Sequence, residues 1–448
     1  MNKGKLFQST VVAALAGFIF GFDMVVISGA DKPIQALWQT TPWFHGFFIM
    51  SMALWGTVIG SIFAGGPTEK YGRKKVLIWL GVLFIASAIG SAIAQDPYTF
   101  SFFRLMGGVA IGVSSVVAPT YISEISNKNN RGKLVGMYQF NIVFGILVAY
   151  LSNYFLQGVG GDNDWRWMLA VLLIPSLIYT VMAFGLPESP RWLLSVKGDE
   201  AGARTNLAAV GVDNIDETIQ EIKTANAEEK SIGSANLFTK HHLKLISLAF
   251  FIAFFNQVSG INFLLYYAPR ILEEAGFAKD NSLLSSISIG LMNLIFTFVG
   301  LWLIDRIGRK TLLIIGSFGY IISLSMVAYG FFMHSAPTFM LVFLLLFIAA
   351  HAIGQGAVIW VFISEIFPTQ VRAAGQAFGA SIHWIFAAVI TLVTPVFLDS
   401  EYGIFKDNPW PIFAFFAGMM TLQLVWILVK VPETKGVSLE ELQKKLVQ

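Results

Sequence analysis

The 448-residue sequence contains no cysteine, which excludes a disulfide framework and thiol chemistry. It is also poor in charge, since Asp, Glu, Lys and Arg make up only 13% of the residues, whereas a soluble domain averages roughly 25%. Hydrophobic residues reach 55%, and the mean hydropathy is +0.67. No small-residue cleavage site follows Lys3 and Lys5, so we expect a retained first helix. The composition therefore indicates a membrane protein.

About twelve apolar stretches of roughly 18–25 residues are each long enough to cross a bilayer. Only closed backbone hydrogen bonding survives in lipid, and these runs do not alternate as barrel strands do. The sequence therefore predicts an all-α membrane protein with twelve transmembrane helices. We place them near residues 9–30, 44–64, 76–95, 99–122, 134–157, 167–186, 243–268, 283–304, 311–332, 338–362, 374–397 and 409–430.

Basic residues concentrate in alternate loops, while the other loops are mainly acidic. By the positive-inside rule, this asymmetry predicts that the basic loops and both termini are cytoplasmic. Each basic cluster lies between two spans, which argues against nucleic-acid binding. The basic residues are Lys70, Arg73, Lys74, Lys75, Lys128, Arg131, Lys133, Arg306, Arg309, Lys310 and Arg372.

Three motifs occur twice in the same order, each separated from its counterpart by about 240 residues. A repeated offset of this kind indicates a duplication of six spans into two pseudo-symmetric six-helix bundles. We predict an N-terminal bundle at 1–187, a cytoplasmic helical linker at 188–240, a C-terminal bundle at 241–432 and a cytoplasmic tail at 433–448. Acids around Ile215, Ile219 and Ile222 predict an amphipathic helix in the linker. Residues after Gly436 predict another short helix in the tail.

Asp23 is a lone carboxylate in the middle of the first apolar run. A charge at the bilayer centre costs roughly 2.5–3.5 kcal/mol on insertion scales, so such residues usually carry function. Arg104, near the start of the fourth span, is the obvious intramembrane partner. A carboxylate that alternates between this arginine and a desolvated state would carry a proton. The alternative is a static pair that fixes helix packing.

Uncharged polar side chains inside the spans cluster unevenly. Amides both donate and accept hydrogen bonds, so converging amides suit a ligand with many hydroxyls, and aromatic faces suit the C–H side of a sugar ring. The alternative is that these amides join helices by hydrogen bonds. The candidate substrate-binding residues are Gln139, Asn256, Gln257, Asn262, Asn293, Trp360, His383 and Trp384, and the candidate gating or aromatic lining residues are Phe20, Tyr266 and Tyr267.

Glycines stand out in spans one, four, seven and ten, the first helices of four predicted three-helix units. Interrupted helices at equivalent positions indicate a midplane binding site. Close packing of helices through small residues is the alternative, and both can hold together. These glycines are Gly17, Gly21, Gly107, Gly108, Gly112, Gly260, Gly354 and Gly356.

A set of charges lies near the predicted cytoplasmic helix ends, too far from the midplane to bind substrate there. We expect these residues to form a breakable salt-bridge latch between the halves. The set consists of Glu69, Arg73, Glu124, Arg131, Asp305, Arg309, Glu365 and Arg372.

These loops resemble the signature set of the sugar porter family in the major facilitator superfamily. The motifs are Gly72-Arg73-Lys74-Lys75, Arg131-Gly132-Lys133-Leu134, Pro187-Glu188-Ser189-Pro190-Arg191-Trp192-Leu193, Gly308-Arg309-Lys310, Pro432-Glu433-Thr434-Lys435-Gly436, and Asn256–Asn262 followed by Tyr266-Tyr267-Ala268-Pro269. The resemblance implies two six-helix bundles, a central sugar site and alternating access. It also implies that Asp23 and Arg104 match the proton-coupling pair of the family's bacterial symporters.

The sequence departs from the family pattern at four positions. Asn256 stands where a glutamine is common, and His383 stands where an amide is usual, so both bear on which sugar is bound. Ala357 replaces a proline in span ten, which bears on gating, and Glu69 replaces an aspartate.

The sequence thus predicts proton-coupled symport of a hexose or pentose across a bacterial cytoplasmic membrane by a monomer. We expect no enzymatic activity, cofactor or metal. Two alternatives remain open: a uniporter in which Asp23 and Arg104 form a structural pair, and a non-transporting sugar sensor.

Overall fold

The computed structural model describes residues 3–126, 130–212, 214–232, 236–368 and 370–437, and these residues form helices without a strand. Long apolar runs bounded by glycine, proline and charge produce eighteen α-helices of seven residues or more. They are α1 Lys3–Trp38, α2 Met52–Phe63, α3 Gly65–Tyr71, α4 Arg73–Ile93, α5 Pro97–Ile125, α6 Arg131–Leu156, α7 Asp164–Ala170, α8 Leu173–Ala183, α9 Glu200–Ala209, α10 Ile215–Ile232, α11 Leu243–Gln257, α12 Ile261–Glu274, α13 Lys279–Ile307, α14 Arg309–Phe332, α15 Pro337–His351, α16 Ala357–Ile366, α17 Arg372–Leu398 and α18 Trp410–Lys430.

Eleven segments of the described chain are long and apolar enough to cross a membrane. A twelfth is formed if Pro42–Met50 and Met52–Phe63, which are bent by 44°, count as one broken span. The twelve predicted stretches coincide with these helices. The first boundary was wrong, because α1 continues to Trp38 instead of ending near residue 30. Asp31, just beyond the predicted first span, therefore lies within α1, where it is buried.

The chain divides by internal contacts into two units. Unit 1 comprises the described residues of Met1–Met24, Trp55–Ile146 and Leu169–Ser234, and unit 2 those of Val25–Leu54, Leu147–Met168 and Ala235–Gln448. The second half of α1 therefore groups with helices from the C-terminal half of the sequence. The predicted boundaries at residues 187 and 241, which follow the internal repeat, stay a prediction.

In unit 1, backbones of α1 and α6 approach closely through glycine. A Cβ atom on Gly21 would lie 1.9 Å from the Ile142 carbonyl oxygen, and one on Gly145 would lie 2.2 Å from that of Phe18. No other residue type fits such a contact without a shift of the backbone. These glycines therefore set how closely α1, which carries Asp23, packs against α6.

In unit 2, the chain breaks between α11 and α12. Gly260 has φ = 89°, a conformation that favours glycine, and α12 begins at the next residue. A second irregularity follows at Tyr267, with φ = −122° and ψ = 20°, two residues before Pro269. The interruption leaves Asn256 and Gln257 at the end of one helix and Asn262 at the start of the next.

The segment after Pro187 forms short helices. The predicted amphipathic helix corresponds to α10, which begins at Ile215 and buries Ile219. Asp199 caps α9 by accepting a hydrogen bond from the Gly202 amide at 2.8 Å. Lys128, Asp213 and the helix predicted in the tail after residue 437 lie outside the described residues.

Candidate functional site

Asp23 and Arg104 form a buried ion pair in unit 1, between α1 and α5. Arg104 Nη1 lies 2.5 Å from Asp23 Oδ1, and Nη2 donates to the Asp23 carbonyl oxygen at 3.3 Å. The residues are 2% and 1% exposed. Asp23 Oδ2 and Arg104 Nε have no hydrogen-bond partner among the described residues. The carboxylate is therefore neutralised by one guanidinium and keeps one oxygen open to a proton or a water molecule.

A cluster of amides in unit 2 is organised around Gln257. Its Nε2 donates to Asn256 Oδ1 at 2.9 Å, and its Oε1 accepts from Asn262 Nδ2 at 2.7 Å. The same Nε2 lies 3.2 Å from both ring nitrogens of His383 on α17. All four residues are buried. The cluster therefore satisfies its own polar groups and presents a preorganised set of donors and acceptors without a formal charge on the amides.

Two tryptophans border this cluster. The His383 ring lies 4.9 Å from the Trp360 ring and 4.7 Å from the Trp384 ring, measured between centroids. Trp384 is buried, whereas Trp360 is 39% exposed. Convergent amides beside an accessible aromatic face are suited to a neutral polyhydroxyl ligand.

The other predicted substrate and lining residues lie elsewhere in the fold. Gln139 is half-buried on α6 in unit 1, and Phe20 is buried on α1 in the same unit. Asn293 is buried on α13 in unit 2. Tyr266 and Tyr267 are both fully buried on α12, and the Tyr267 hydroxyl donates to the Thr391 carbonyl at 2.8 Å. Their assignment to substrate binding or gating stays a prediction.

The glycines of the two sequence halves differ in what they do. In the first half, α1 and α5 are continuous, and Gly112 packs with its Cβ position 2.3 Å from the Thr57 carbonyl oxygen. In the second half, Gly260 breaks the chain before α12, whereas Gly354 and Gly356 lie in a π-helix, Ala352–Gly356, that connects α15 with α16. A Cβ on Gly354 would lie 2.9 Å from the Gly316 Cα. Packing therefore accounts for the first set and for Gly354, and interruption for Gly260.

The charge set that is predicted to be cytoplasmic forms the same arrangement in both units. In unit 1, Arg73 makes a bidentate pair with Glu124 at 2.8 and 2.9 Å. In unit 2, Arg309 pairs with Glu365 at 2.8 and 3.1 Å. In this structure each pair therefore lies within one unit rather than joining the halves. A latch in another conformational state stays a prediction.

The remaining members of that set contribute less to these pairs. Asp305 is exposed and lies 3.2 Å from Arg309 Nη1. Glu69 and Arg131 are exposed, and Arg372 Nε donates to the Phe367 carbonyl at 3.2 Å.

Two groups of structural residues were missed by sequence reasoning. Glu188 and Glu433 entered the sequence analysis only as members of motifs. In the structure, Glu188 accepts hydrogen bonds from two backbone amides at the start of α4, and Glu433 does the same at the start of α14. Asp31, His45 and Arg270 were not singled out, although they form a buried charged network in unit 2. The available signal was Asp31 itself, a second acid eight residues after Asp23.

A metal centre has no evident ligand set in the described part of the chain, where no group of three or more His, Asp or Glu residues is placed to hold an ion. Buried side chains around the two sites are instead an ion pair and a ring of amides. Such an arrangement binds and releases ligands without covalent chemistry, which is what a membrane transporter requires.

Comparison with known proteins agrees with this class. Residues 9–446 match the family described as "Sugar (and other) transporter". The chain is 33% identical to a glucose transport protein of Synechocystis sp., covering 96% of this chain and 95% of that protein. It is 31% identical to the D-xylose-proton symporter of Escherichia coli strain K12, covering 99% and 96%.

A solved structure of the xylose transporter XylE from E. coli, in a partially occluded inward open conformation, matches with a TM-score of 0.85. The identity is 30%, and the match covers 97% of this chain and 100% of that one. The fold is therefore that of the major facilitator superfamily, and the protein is a multi-pass membrane transporter rather than an enzyme. The chain belongs to the sugar porter family of that superfamily.

Proposed function

We propose that this protein is a proton-coupled symporter that carries a monosaccharide, a hexose or a pentose, into a bacterial cell by alternating access. The observation that carries the proposal is the buried Asp23–Arg104 pair, because a carboxylate held by one guanidinium can exchange that partner for a proton. The curated relatives that are named as D-xylose-proton, arabinose-proton and galactose-proton symporters support it.

The energetics of coupling are sufficient for accumulation. Moving one elementary charge across 100 mV is worth roughly 2.3 kcal/mol, and about 1.4 kcal/mol corresponds to a tenfold concentration ratio. One proton per sugar therefore supports an accumulation of about fifty-fold. A neutral sugar adds no charge of its own, which fits a binding cluster built from amides and aromatic rings.

Sugar recognition is assigned to the cluster around Gln257. A sugar hydroxyl both donates and accepts, so it can replace the hydrogen bonds that Asn256, Asn262 and His383 make with Gln257. The flat face of Trp360 is available for the C–H side of a ring. Gln139 and Asn293 complete the proposed contacts.

The proposed orientation places both termini in the cytoplasm of a bacterium, in its cytoplasmic membrane. Loop charge supports this orientation, since the helix ends that carry Arg73 and Arg309 hold the basic clusters.

The test uses purified protein in liposomes that contain a pH-sensitive dye. Addition of the transported sugar, identified from a panel of hexoses and pentoses, should acidify the lumen when protein and sugar are both present. We expect Asp23→Asn to abolish uphill accumulation and sugar-induced proton flux while sugar exchange between equal concentrations continues. Asp407→Asn, the same change at an exposed residue, serves as the matched control and should behave as the parent does.

The alternative outcome is a uniporter in which Asp23–Arg104 only holds α1 against α5. That outcome is established if the parent protein exchanges sugar without any proton flux, or if Asp23→Asn still accumulates sugar against a gradient.

A further inference from the structure

A second buried charged network, centred on Asp31, lies in unit 2 and has no role in the transport cycle described above. Asp31 is 1% exposed on α1, only eight residues after Asp23. His45 Nε2 lies 2.8 Å from Asp31 Oδ1, and Arg270 Nε lies 2.8 Å from Asp31 Oδ2. One carboxylate is thus shared between an imidazole and a guanidinium, both of them buried.

The network joins segments from the two halves of the sequence. Asp31 and His45 come from the first two spans, whereas Arg270 lies on α12. Arg270 Nη2 also donates to Gln35 Oε1, and Gln35 Nε2 donates to Asp399 Oδ2 at 2.6 Å. The π-helix His45–Met50 is held close to α17, since a Cβ on Gly46 would lie 1.9 Å from the Leu392 carbonyl oxygen. The Asp31–Arg270 pair thus joins α1 to α12, and a movement of these two helices away from each other at this end would break it.

Separation has an unequal effect on the two partners of Asp31. His45 is only fourteen residues from Asp31 and is held in place by its Nδ1, which lies 3.0 Å from Thr40 Oγ1. The imidazole therefore stays with Asp31 when Arg270 leaves. A carboxylate without its guanidinium stabilises an imidazolium, whereas a nearby guanidinium destabilises it. A proton and Arg270 thus compete for the same carboxylate.

A pocket of about 530 Å³ connects the network with the surface. It is lined by Asp31 and Arg270 at the buried end and by the exposed residues Leu37 and Asp162 at the other. A pocket of this size that includes charged side chains can hold water, which conducts protons. Arg270 Nη1 has no hydrogen-bond partner within the described ranges, so the closed arrangement leaves a buried donor unsatisfied.

We propose that the His45–Asp31 pair is a second proton-binding site, at which a proton displaces Arg270 and thereby favours opening of the transporter end opposite the basic loops. This inference rests on the proposed transport function, because a symporter must open that end to admit sugar. Loop charge predicts that this end faces the outside, where a symporter takes up protons.

Other charged and titratable groups surround the pair. The groups that face the pair are Lys32, Tyr267, Arg270, Glu273, Glu274, Lys279, Asp162, Asp164 and Asp399. Burial, the largest effect on Asp399, raises its pKa, but the backbone amides of Tyr402 and Glu401, with Gln35 and Arg270, together hold the pKa below its usual range. Asp399 therefore stays ionised between about pH 5.5 and pH 8, where histidine changes charge.

The test measures opening directly. It uses the Asp23→Asn background, in which the first proton site cannot bind a proton. The chain has no native cysteine, so spin labels on Trp43→Cys and Tyr402→Cys, both at exposed positions, report one distance distribution in liposomes. We expect the ratio of long-distance to short-distance populations to rise as pH falls from about 8 to about 5.5. One linked proton allows up to about a tenfold change per pH unit.

His45→Gln keeps hydrogen-bonding capacity towards Asp31 and Thr40 but does not titrate, so it should remove this pH dependence. His241→Gln, the same change at an exposed histidine, should leave it intact. The proposal is overturned if the background protein shows no pH dependence, or if His45→Gln shows the same dependence as the background.

A second variant decides the matter if His45→Gln does not fold. Arg270→Lys keeps the charge but loses the planar fork that reaches both Asp31 and Gln35. Opening should therefore begin at a higher pH. An unchanged pH midpoint of opening overturns the proposal. Sugar exchange between equal concentrations, which Asp23→Asn is expected to keep, is measured on the same liposomes. Loss of this exchange with pH-dependent opening retained would contradict the proposed function alone.

Discussion

At the scale of single residues, buried amides have two kinds of surroundings in this protein. Gln257 hydrogen-bonds Asn256 and Asn262 and lies against His383, whose ring contacts that of the partly exposed Trp360. Gln423 is equally buried, but it accepts from Gln355 at 3.1 Å and donates to Ser317 at 2.8 Å. The first amide belongs to a cluster that borders an accessible aromatic face, whereas the second joins helices.

This contrast predicts different effects of the same substitution on KM. Gln257→Ala should raise the KM for sugar by about 5- to 50-fold, because a lost hydrogen bond to a neutral ligand costs roughly 1 kcal/mol and the partners of Gln257 lose their positions as well. Its melting temperature should also fall, because Asn256 and Asn262 lose a buried partner. The measurements are transport kinetics in liposomes and thermal unfolding in detergent.

Gln423→Ala is the matched control. It leaves Gln355 and Ser317 without their buried partner, so it should lower the melting temperature while KM stays close to that of the parent. Equal effects of both substitutions on KM would contradict the assignment of the Gln257 cluster to sugar.

At the scale of helices, the contact between α1 and α6 depends on glycine in unit 1. A Cβ on Gly145 would lie 2.2 Å from the Phe18 carbonyl oxygen and 2.9 Å from the Phe22 amide nitrogen. Gly136, on the same helix, has nothing within 4 Å of its Cβ position. Two glycines of one helix therefore differ only in what faces them.

We expect Gly145→Ala to destabilise the protein by about 1–3 kcal/mol, since overpacking forces backbone shifts. Gly136→Ala should be neutral or slightly stabilising, because alanine favours helix by roughly 1 kcal/mol over glycine. Thermal unfolding followed by the fluorescence of the twelve tryptophans measures both. A Gly145→Ala protein as stable as Gly136→Ala would show that α1 and α6 do not touch as described.

Elements of this fold were predictable from the sequence because lipid leaves so few choices. Apolar runs of sufficient length located every span, and the break at Gly260 followed from a glycine beside clustered amides. The sequence did not predict which charged side chains form pairs in the folded chain. Asp31 lay beyond the predicted first span, and only the folded chain brings His45 and Arg270 to it.

The pairing of the charges that are predicted to be cytoplasmic could not be predicted either. Their repetition indicated a duplication, but spacing alone did not reveal that Arg73 pairs with Glu124 and Arg309 with Glu365 within their own units. The predicted latch between the halves rested on the position of these charges near helix ends, and that position does not indicate which residues pair.

At the scale of the whole molecule, the duplication is preserved in atomic detail. Glu188 Oε1 accepts from the amides of Arg73 and Lys74 at 2.9 and 3.0 Å. Glu433 accepts from the amides of Arg309 and Lys310 at 2.9 and 3.0 Å. In both cases the carboxylate meets the N-terminus of a long helix, where free amides and the helix dipole favour a negative charge.

The two caps share no residue, so we expect their contributions to add. Glu188→Ala and Glu433→Ala should each lower the free energy of unfolding by about 1–2 kcal/mol, the usual cost of losing a helix cap, and the double variant should lose the sum within about 0.5 kcal/mol. Melting temperatures of the single and double variants measure this. Glu69→Ala, at an exposed position of α3, is the control and should leave the melting temperature unchanged. A double variant no less stable than either single one would mean that the two caps are not independent.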